Sequence, residues 1–383
     1  MDLDKYDYVV VGAGFFGSVI AERIASQLNK KVAVLERRDH LGGNCYSEIH
    51  KETGIEYHKY GTHIFHTSNE KVWEYITQFT SFNSYYHQVL TEYKGKVYQM
   101  PINLETINSF YNVNLKPFEI ASFLEKEKAK EHYEHPANFE EQAINFVGRP
   151  LYEAFLKGYT QKQWEKDPKD IPAHILKRLP FRTNYNESYF FDKYQGIPLD
   201  GFTAIFNKML KHKNIDVHLN SDFFDLKDQI PASKKIIYSG PIDKLFDYKH
   251  GDLEWRTLEF KEEVKEVNDY QGTSVMNYAE ASVPYTRIHE PHHLHPERSH
   301  DLNKTLIIKE FSKKDQRDDP YYPIGGERNQ EIFKKYMTEV TSRENIIVGG
   351  RLGDYKYYDM HHTIERALQI FETEILKSES KMS

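Results

Sequence analysis

Cysteine is almost absent: the 383 residues contain one, Cys45. A single thiol closes no internal disulfide, which removes disulfide-stapled secreted scaffolds and fits a reducing compartment. No apolar run approaches the ~18 residues of a membrane span. The opening Met1-Asp2-Leu3-Asp4 lacks the basic stretch of a secretory signal. A basic excess is missing too. The net charge is −7, which argues against nucleic acid as a partner while leaving room for a local basic pocket that takes a phosphate. Internal repeats and low-complexity tracts are also absent, and only residues 377–383 read as a polar tail. What remains is an ordinary globular composition, expected in the cytoplasm and long enough for two or three domains.

Aromatic residues are plentiful at 14%, mostly 28 Tyr and 23 Phe. Most serve packing; some can line a cleft in which rings meet a base or sugar and hydroxyls bond to it. The N-terminus is the most legible stretch. Tyr8 to Val11 is a short β-branched run, followed at once by Gly12-Ala13-Gly14-Phe15-Phe16-Gly17 and then by Val19, Ile20, Ile24 and Leu28 at helical spacing. Lys31 to Leu35 reads as a second strand ending on Glu36. This is a dinucleotide-binding fingerprint in its required context. Gly12 makes the turn, Gly14 admits a pyrophosphate, and Gly17 lets helix and strand pack closely. The helix N-terminus faces the phosphates, and Glu36 takes a ribose hydroxyl pair. The continuation Arg37-Arg38-Asp39-His40-Leu41-Gly42-Gly43-Asn44 favours FAD over NAD, as in FAD proteins of the glutathione-reductase type.

Gly61-Thr62-His63-Ile64-Phe65-His66-Thr67 reads as a flavin-facing loop, with Gly61 and His63 near the ring. It lacks the Cys or paired acids of a metal site. His289, His292, His293, His295 and His300, irregularly spaced around Pro291 and Pro296, read as a polar loop. No metal ligand set is expected. From about Lys116 to Arg178 the apolar spacing is helical, with prolines at the boundaries. Phe155 and Tyr159 fall i, i+4 on one helix face, as core or as a stacking shelf. Beyond 179, short strands follow at 188–191, 255–260, 274–278 and 305–311. Residues 236–238 and 345–348 return to the first sheet. A helix from about Asp359 to Leu376 should point its N-terminus at the flavin. The expected fold is α/β: a Rossmann-like FAD-binding domain (1–82, 194–248 and 334–383), an inserted helical domain (103–178), and an antiparallel β-sheet domain (83–102, 179–193 and 249–333).

The blocks VGAGFFG, LGGN, HKYGTHIFHT, FEEQAINFVG, GYTQKQW, LPFR, YQGIP, GPID, VPYTRIHE, DPYYP and GGRLGDYKYYDMH occur in this order. In this the chain resembles the bacterial UDP-galactopyranose mutases along nearly its whole length. That resemblance implies interconversion of UDP-galactopyranose and UDP-galactofuranose without net redox change, active when FAD is reduced, with flavin N5 as nucleophile at the anomeric carbon. It implies an external reductant, a homodimer, and galactofuranose supplied for cell-surface glycans. Arg182 and Arg287 would hold the pyrophosphate and serve catalysis together with His63. Phe155, Tyr159, Thr160 and Trp164 would line the uridine end, with Asn277 among the polar contacts. Tyr189, Tyr322 and Tyr357 would bond phosphate oxygens, and Glu310 would lie near the sugar. The implied cofactor set is Gly12, Gly14, Phe16, Gly17, Glu36, Arg37, Gly43, Asn44, Gly61, His63, Arg351, Tyr358, Asp359 and Met360; Arg256 falls near the flavin or the rim. Thr62 stands where many relatives carry Ala or Pro. The polar stretch around Arg182 reads as a lid. Two other readings compete: an FAD-dependent oxidoreductase of the amine-oxidase type, which needs neither the GYTQKQW shelf nor the arginine pair, and a nucleotide-sugar-binding protein that keeps FAD as structure.

Overall fold

The computed structural model describes residues 1–178, 181–299, 303–315, 317 and 319–382. Leu179 and Pro180 of the LPFR block, and His300 of the histidine run, lie outside the described residues. β-Branched runs flanked by glycine build a five-stranded parallel sheet in the order Ile346–Val348, Lys235–Tyr238, Tyr8–Val11, Val32–Leu35, Ile215–His218. Tyr8, Val9 and Val10 are buried, as expected of a parallel strand covered on both faces. The helix Phe15–Leu28 follows at once and packs against the helix Met360–Ile370. The turn between strand and helix demands glycine twice. Gly12 has φ +96°, and a Cβ on Gly17 would stand 2.0 Å from Gly12 O.

The second sheet has seven strands in the order Tyr322–Pro323, Trp255–Lys265, Thr305–Lys314, Arg287–His289, Val275–Tyr278, Val89–Tyr93, Lys96–Met100. It is antiparallel as expected except at one junction, where Val275–Tyr278 runs parallel to Val89–Tyr93. The helices Leu104–Tyr111, Pro117–Lys128 and Phe139–Val147 and the run 149–164 gather around a separate core that includes Ile107, Ile120, Ile144 and Tyr152.

Two local expectations fail. Residues 188–191 form no strand. Asn184 and Asn186 side chains accept the N–H groups of Asn186 and Ser188, and Ser188 Oγ donates to Phe190 O. These local bonds use main-chain groups that a ladder would need. Tyr194–Gly196 instead pairs with Phe65–Thr67. The supposed polar tail is helical over Leu376–Met382 and is tied down where Tyr8 Oη donates to Glu379 at 2.7 Å. Tyr152–Lys157 is a π-helical turn that leads into the α-helix Gly158–Trp164.

The Gly158–Trp164 helix docks the helical core onto the sheet. Lys162 Nζ donates to Tyr278 O and Tyr285 O at 2.7 and 2.9 Å. At Gly158 the chains nearly touch: a Cβ there would lie 2.4 Å from Ala279 O and 2.7 Å from Ala281 N. Both are main-chain atoms, so relief requires the helix to move. Gly158→Ala should therefore destabilise by about 1–3 kcal/mol, the usual cost of overpacking. The urea midpoint reads this directly, and an unshifted midpoint would show that the docking is slack.

Candidate active site

A long cleft opens along the carboxyl ends of the parallel strands, where open α/β sheets bind ligands. Gly12, Gly14, Phe16, Glu36, Arg37, Gly43, Asn44, His63, Arg351 and Met360 all line it. Four others of the expected set contribute from behind. Gly17 packs the helix on the strand. Gly61, with φ +95°, lets the loop pass Phe260, whose ring tip would lie 2.9 Å from a Cβ. The Tyr358 carbonyl accepts Arg351 Nε at 3.0 Å, and Asp359 precedes the helix beginning at Met360. At one end the buried Glu36 carboxylate accepts from Ala13 N and Arg38 N, at 2.8 and 2.9 Å. In the middle, the Phe15–Leu28 helix has neither a side-chain cap nor an acid in its first turn, so its amides are left for an anion. Burial pushes the Cys45 thiol up to about 12, so it stays protonated. An extended dinucleotide fits this lining, with a ribose on Glu36, a pyrophosphate on the helix N-terminus, and a ring system between His63, Gly350 and Arg351.

Beside the cleft, strand register assembles a polar row. Thr91, Asn277, Arg287, Glu310 and Phe260 are consecutive cross-strand partners, so their side chains share one face of the sheet. Arg287 Nη2 donates to Tyr159 Oη at 2.5 Å, and its Nε lies 3.2 Å from Glu310 Oε1 without an aligned hydrogen bond. Glu310 also accepts from Thr286 Oγ1 and pairs with His289 Nε2, both at 3.0 Å. Burial alone would raise the Glu310 pKa, but Arg287 and His289 overcome it and hold the carboxyl at about 2. Facing this row, Tyr322 and Tyr357 stack at 5.1 Å, with the Arg351 guanidinium 5.3 and 5.6 Å from their ring centres.

Arg182 is placed differently. Its side chain is buried, yet only Nη1 has a hydrogen-bond partner, Asn186 O at 2.9 Å; Nε and Nη2 have none. The guanidinium lies 4.4 Å from the Phe191 ring centre, and burial lowers its pKa. Among the described residues no carboxylate pairs with it. Tyr189 lies nearby in the chain, edge-on to His87 at 5.2 Å.

Phe155 is the exception to the expected grouping. Its ring is 4% exposed and packed edge-to-face by Tyr93, Tyr98 and Phe110, so it belongs to the core and presents no open shelf. Thr160 is buried in the same helix, and Trp164 rests on that core. At the helix end Arg256 Nη1 meets Glu165 Oε2 at 2.8 Å. The histidine run is not a polar loop throughout, because His289 and His295 are each 2% exposed. Sequence reading also missed His87, His289 and Phe260 as parts of this site. No local pattern marks them, although the alternation of Trp255–Lys265 could have placed Phe260 on the face of Arg256.

The comparisons bear on what this arrangement is. The family model described as UDP-galactopyranose mutase matches residues 154–357. The chain belongs to the UDP-galactopyranose mutase family. A model of an NAD(P)-binding Rossmann-like domain matches residues 10–79, the first βαβ unit and its continuation. A probable UDP-galactopyranose mutase of Klebsiella pneumoniae is 42% identical over 96% of this chain and 94% of its own length. A dTDP-fucopyranose mutase of Escherichia coli is 41% identical over 94% of this chain and 96% of its own. A reduced UDP-galactopyranose mutase crystal structure shares the fold, with a TM-score of 0.71 at 14% identity over 97% of this chain and 94% of that one. The resemblance read from the sequence blocks thus holds, and members of this family set the frame for the geometry above. Among the described residues no helix is long and apolar enough to cross a membrane.

Several imidazoles of this family member are held neutral. Burial lowers His63 to about 4, with Arg351 adding to the effect, and lowers His87 to about 3. Burial, with His362 adding, takes His361 to about 4. In the unfolded chain these rings take up protons near pH 6.5, whereas the folded protein refuses them until about pH 3–4. Between those values the unfolded state binds more protons, so stability must fall as the pH falls. Urea midpoints should drop steadily from pH 7 to pH 5, and His87→Gln should flatten the slope. A wild-type midpoint that holds constant over this range would mean that the rings protonate freely in the folded state.

Proposed function

We propose that this chain interconverts UDP-galactopyranose and UDP-galactofuranose on reduced FAD. The observation that carries the reading is Arg182, a buried guanidinium with two nitrogens unpartnered, in a protein whose other expected diphosphate-binding arginine, Arg287, is already balanced by Glu310. Such a cation is stabilised by an arriving anion, and a diphosphate matches a guanidinium fork in shape and charge. The lining of the long cleft fits FAD from Glu36 to Met360. When bound and reduced, FAD supplies a nucleophilic nitrogen for the anomeric carbon. The protein's own task is to hold the diphosphate while the anomeric bond to it breaks, and to keep it there until that bond re-forms. Arg182 and Arg287 balance the charge on the leaving diphosphate, and the Tyr322, Tyr357 and Tyr189 hydroxyls donate to its oxygens. Tyr159, Trp164 and Asn277 orient the uridine. His63 donates Nδ1–H to Gly61 O at 2.6 Å, which leaves a neutral Nε2 lone pair to accept from a hydroxyl. We place the enzyme in the cytoplasm as a homodimer served by an external reductant, supplying galactofuranose for cell-surface glycans.

A second reading keeps the reaction and changes the nucleotide sugar, since the Escherichia coli relative named for dTDP-fucopyranose is about as similar as the Klebsiella pneumoniae one. An amine-oxidase type of chemistry has less support, because it leaves Arg182 and the Arg287–Glu310 pair without a role. Dithionite-reduced protein incubated with UDP-galactofuranose should form UDP-galactopyranose with the flavin unchanged at the end, while oxidised protein should be nearly inert. Equal rates in both states would refute the flavin nucleophile, and faster turnover of dTDP-fucofuranose would select the second reading.

Arg182→Ala and Arg287→Ala should each lower turnover by ~10²-fold or more, as loss of one donor to developing charge commonly costs about 2.7–4 kcal/mol. The flavin spectrum should persist in both variants. Near-normal turnover in either would make that arginine a bystander.

A further inference from the structure

We propose that Asp269, Glu290, His292 and His293 form a binding site for a divalent transition-metal ion of the zinc type. None of the four lines the dinucleotide cleft. They come from two segments. Asp269 lies in the turn after the strand Trp255–Lys265, and the other three lie in and just before the tight turn Pro291–Leu294. One donor atom from each lies within 4.8 Å of all the others. His293 Nε2 is 3.1 Å from Asp269 Oδ1 and 3.6 Å from Glu290 Oε2, and His292 Nδ1 is 3.5 Å from Glu290 Oε1. A tetrahedral zinc ion with bonds of ~2.0–2.1 Å separates its ligand atoms by about 3.3 Å. These three separations bracket that edge, and since the donor atoms span up to 4.8 Å, coordination requires the more distant ones to move inward.

Charge points the same way. Glu290 is fully buried, and among the described residues neither it nor Asp269 pairs with a lysine or arginine; their ion-pair partners are His292 and His293. Lys304, beside Thr305 in the chain, is engaged by Glu52 and Glu266. The Glu290 carboxylate is oriented as ligating carboxylates are: Oε1 accepts from Tyr270 N and the Thr305 hydroxyl, and Oε2 from Gln271 N. The same turn carries Gln271 Oε1, a buried acceptor without a donor. Two imidazoles with two carboxylates suit zinc, cobalt or nickel better than calcium or magnesium. An ion here would clamp the Asp269 turn to the segment that directly follows His289, the partner of Glu310, and so brace the strand that bears Arg287.

A second grouping, His66, Asp359 and His361, also brings donor atoms close, but His66 is already held by Asp192 at 2.7 Å and stacked on Phe190. It serves as the control. The test is equilibrium dialysis of chelator-stripped, full-length flavoprotein against zinc ion, with bound metal counted by elemental mass spectrometry and the thermal midpoint read in parallel. One equivalent should bind at micromolar zinc and raise the midpoint. Binding should weaken at least tenfold in the Asp269→Asn, His293→Gln double variant and persist in His361→Ala. If the double variant does not fold, Asp269→Asn alone replaces one ligand oxygen isosterically and gives the same reading. No saturable binding, equal binding by the Asp269 variants, or binding lost only in His361→Ala would overturn the proposal.

Discussion

Arg287 and Glu310 face each other on adjacent strands, the carboxylate buried and the guanidinium 32% exposed, and the rest of the site is arranged around that pair. Taking a carboxylate out of water costs several kcal/mol, and close attraction offsets this best when its remaining lone pairs are also engaged. Here both carboxylate oxygens and one guanidinium nitrogen are engaged. Thr286 and His289 serve the carboxylate, and Tyr159 serves the guanidinium. Strand register makes the two charges neighbours, whereas Tyr159 comes from the helical core. The pair is therefore complete only when the Gly158–Trp164 helix is docked on the sheet, and the near-contact at Gly158 is what permits that docking.

The other arginines are not balanced in this way. Arg351 donates to the carbonyls of Tyr358 and Tyr321, and Arg182 to that of Asn186, with no carboxylate paired to either among the described residues. The site therefore carries net positive charge at two guanidinium groups and a neutral, oriented dipole at a third. The histidines around it add no further charge, because burial holds His63 and His87 in their neutral forms. Such a field favours an anion, while the neutral imidazoles keep lone pairs for hydroxyl groups.

The long cleft and the polar row meet at His63 and Arg351, which line the cleft and lie within electrostatic reach of His289 and of the Tyr322–Tyr357 stack respectively. Gly61 makes the junction possible, since its positive φ and missing side chain let the loop bearing His63 pass over Phe260 from the sheet. The cleft and the polar row are thus brought together by one backbone conformation that few residues other than glycine adopt.

Much of this protein could be read from local pattern. The strand–GAGFFG–helix unit, the acid Glu36, the Gly42-Gly43 turn and the parallel strands near 236 and 346 are legible because backbone sterics and short-range periodicity dictate them within a few residues. The family blocks carried Arg182 and Arg287 in the same way. Tertiary structure decided the rest. Rings from other segments, Tyr93, Tyr98 and Phe110, closed over Phe155, while Tyr159 one turn on met Arg287. Side-chain bonds within 184–190 displaced an apparent strand. His87 joined the site, His289 met Glu310, and Asp269 met His293 through contacts between segments distant in sequence, 24 residues apart for the last pair. Those juxtapositions depend on which strands pair, in what register, and on which turns face each other. Such relations are properties of the folded chain as a whole, and no window of neighbouring residues contains them.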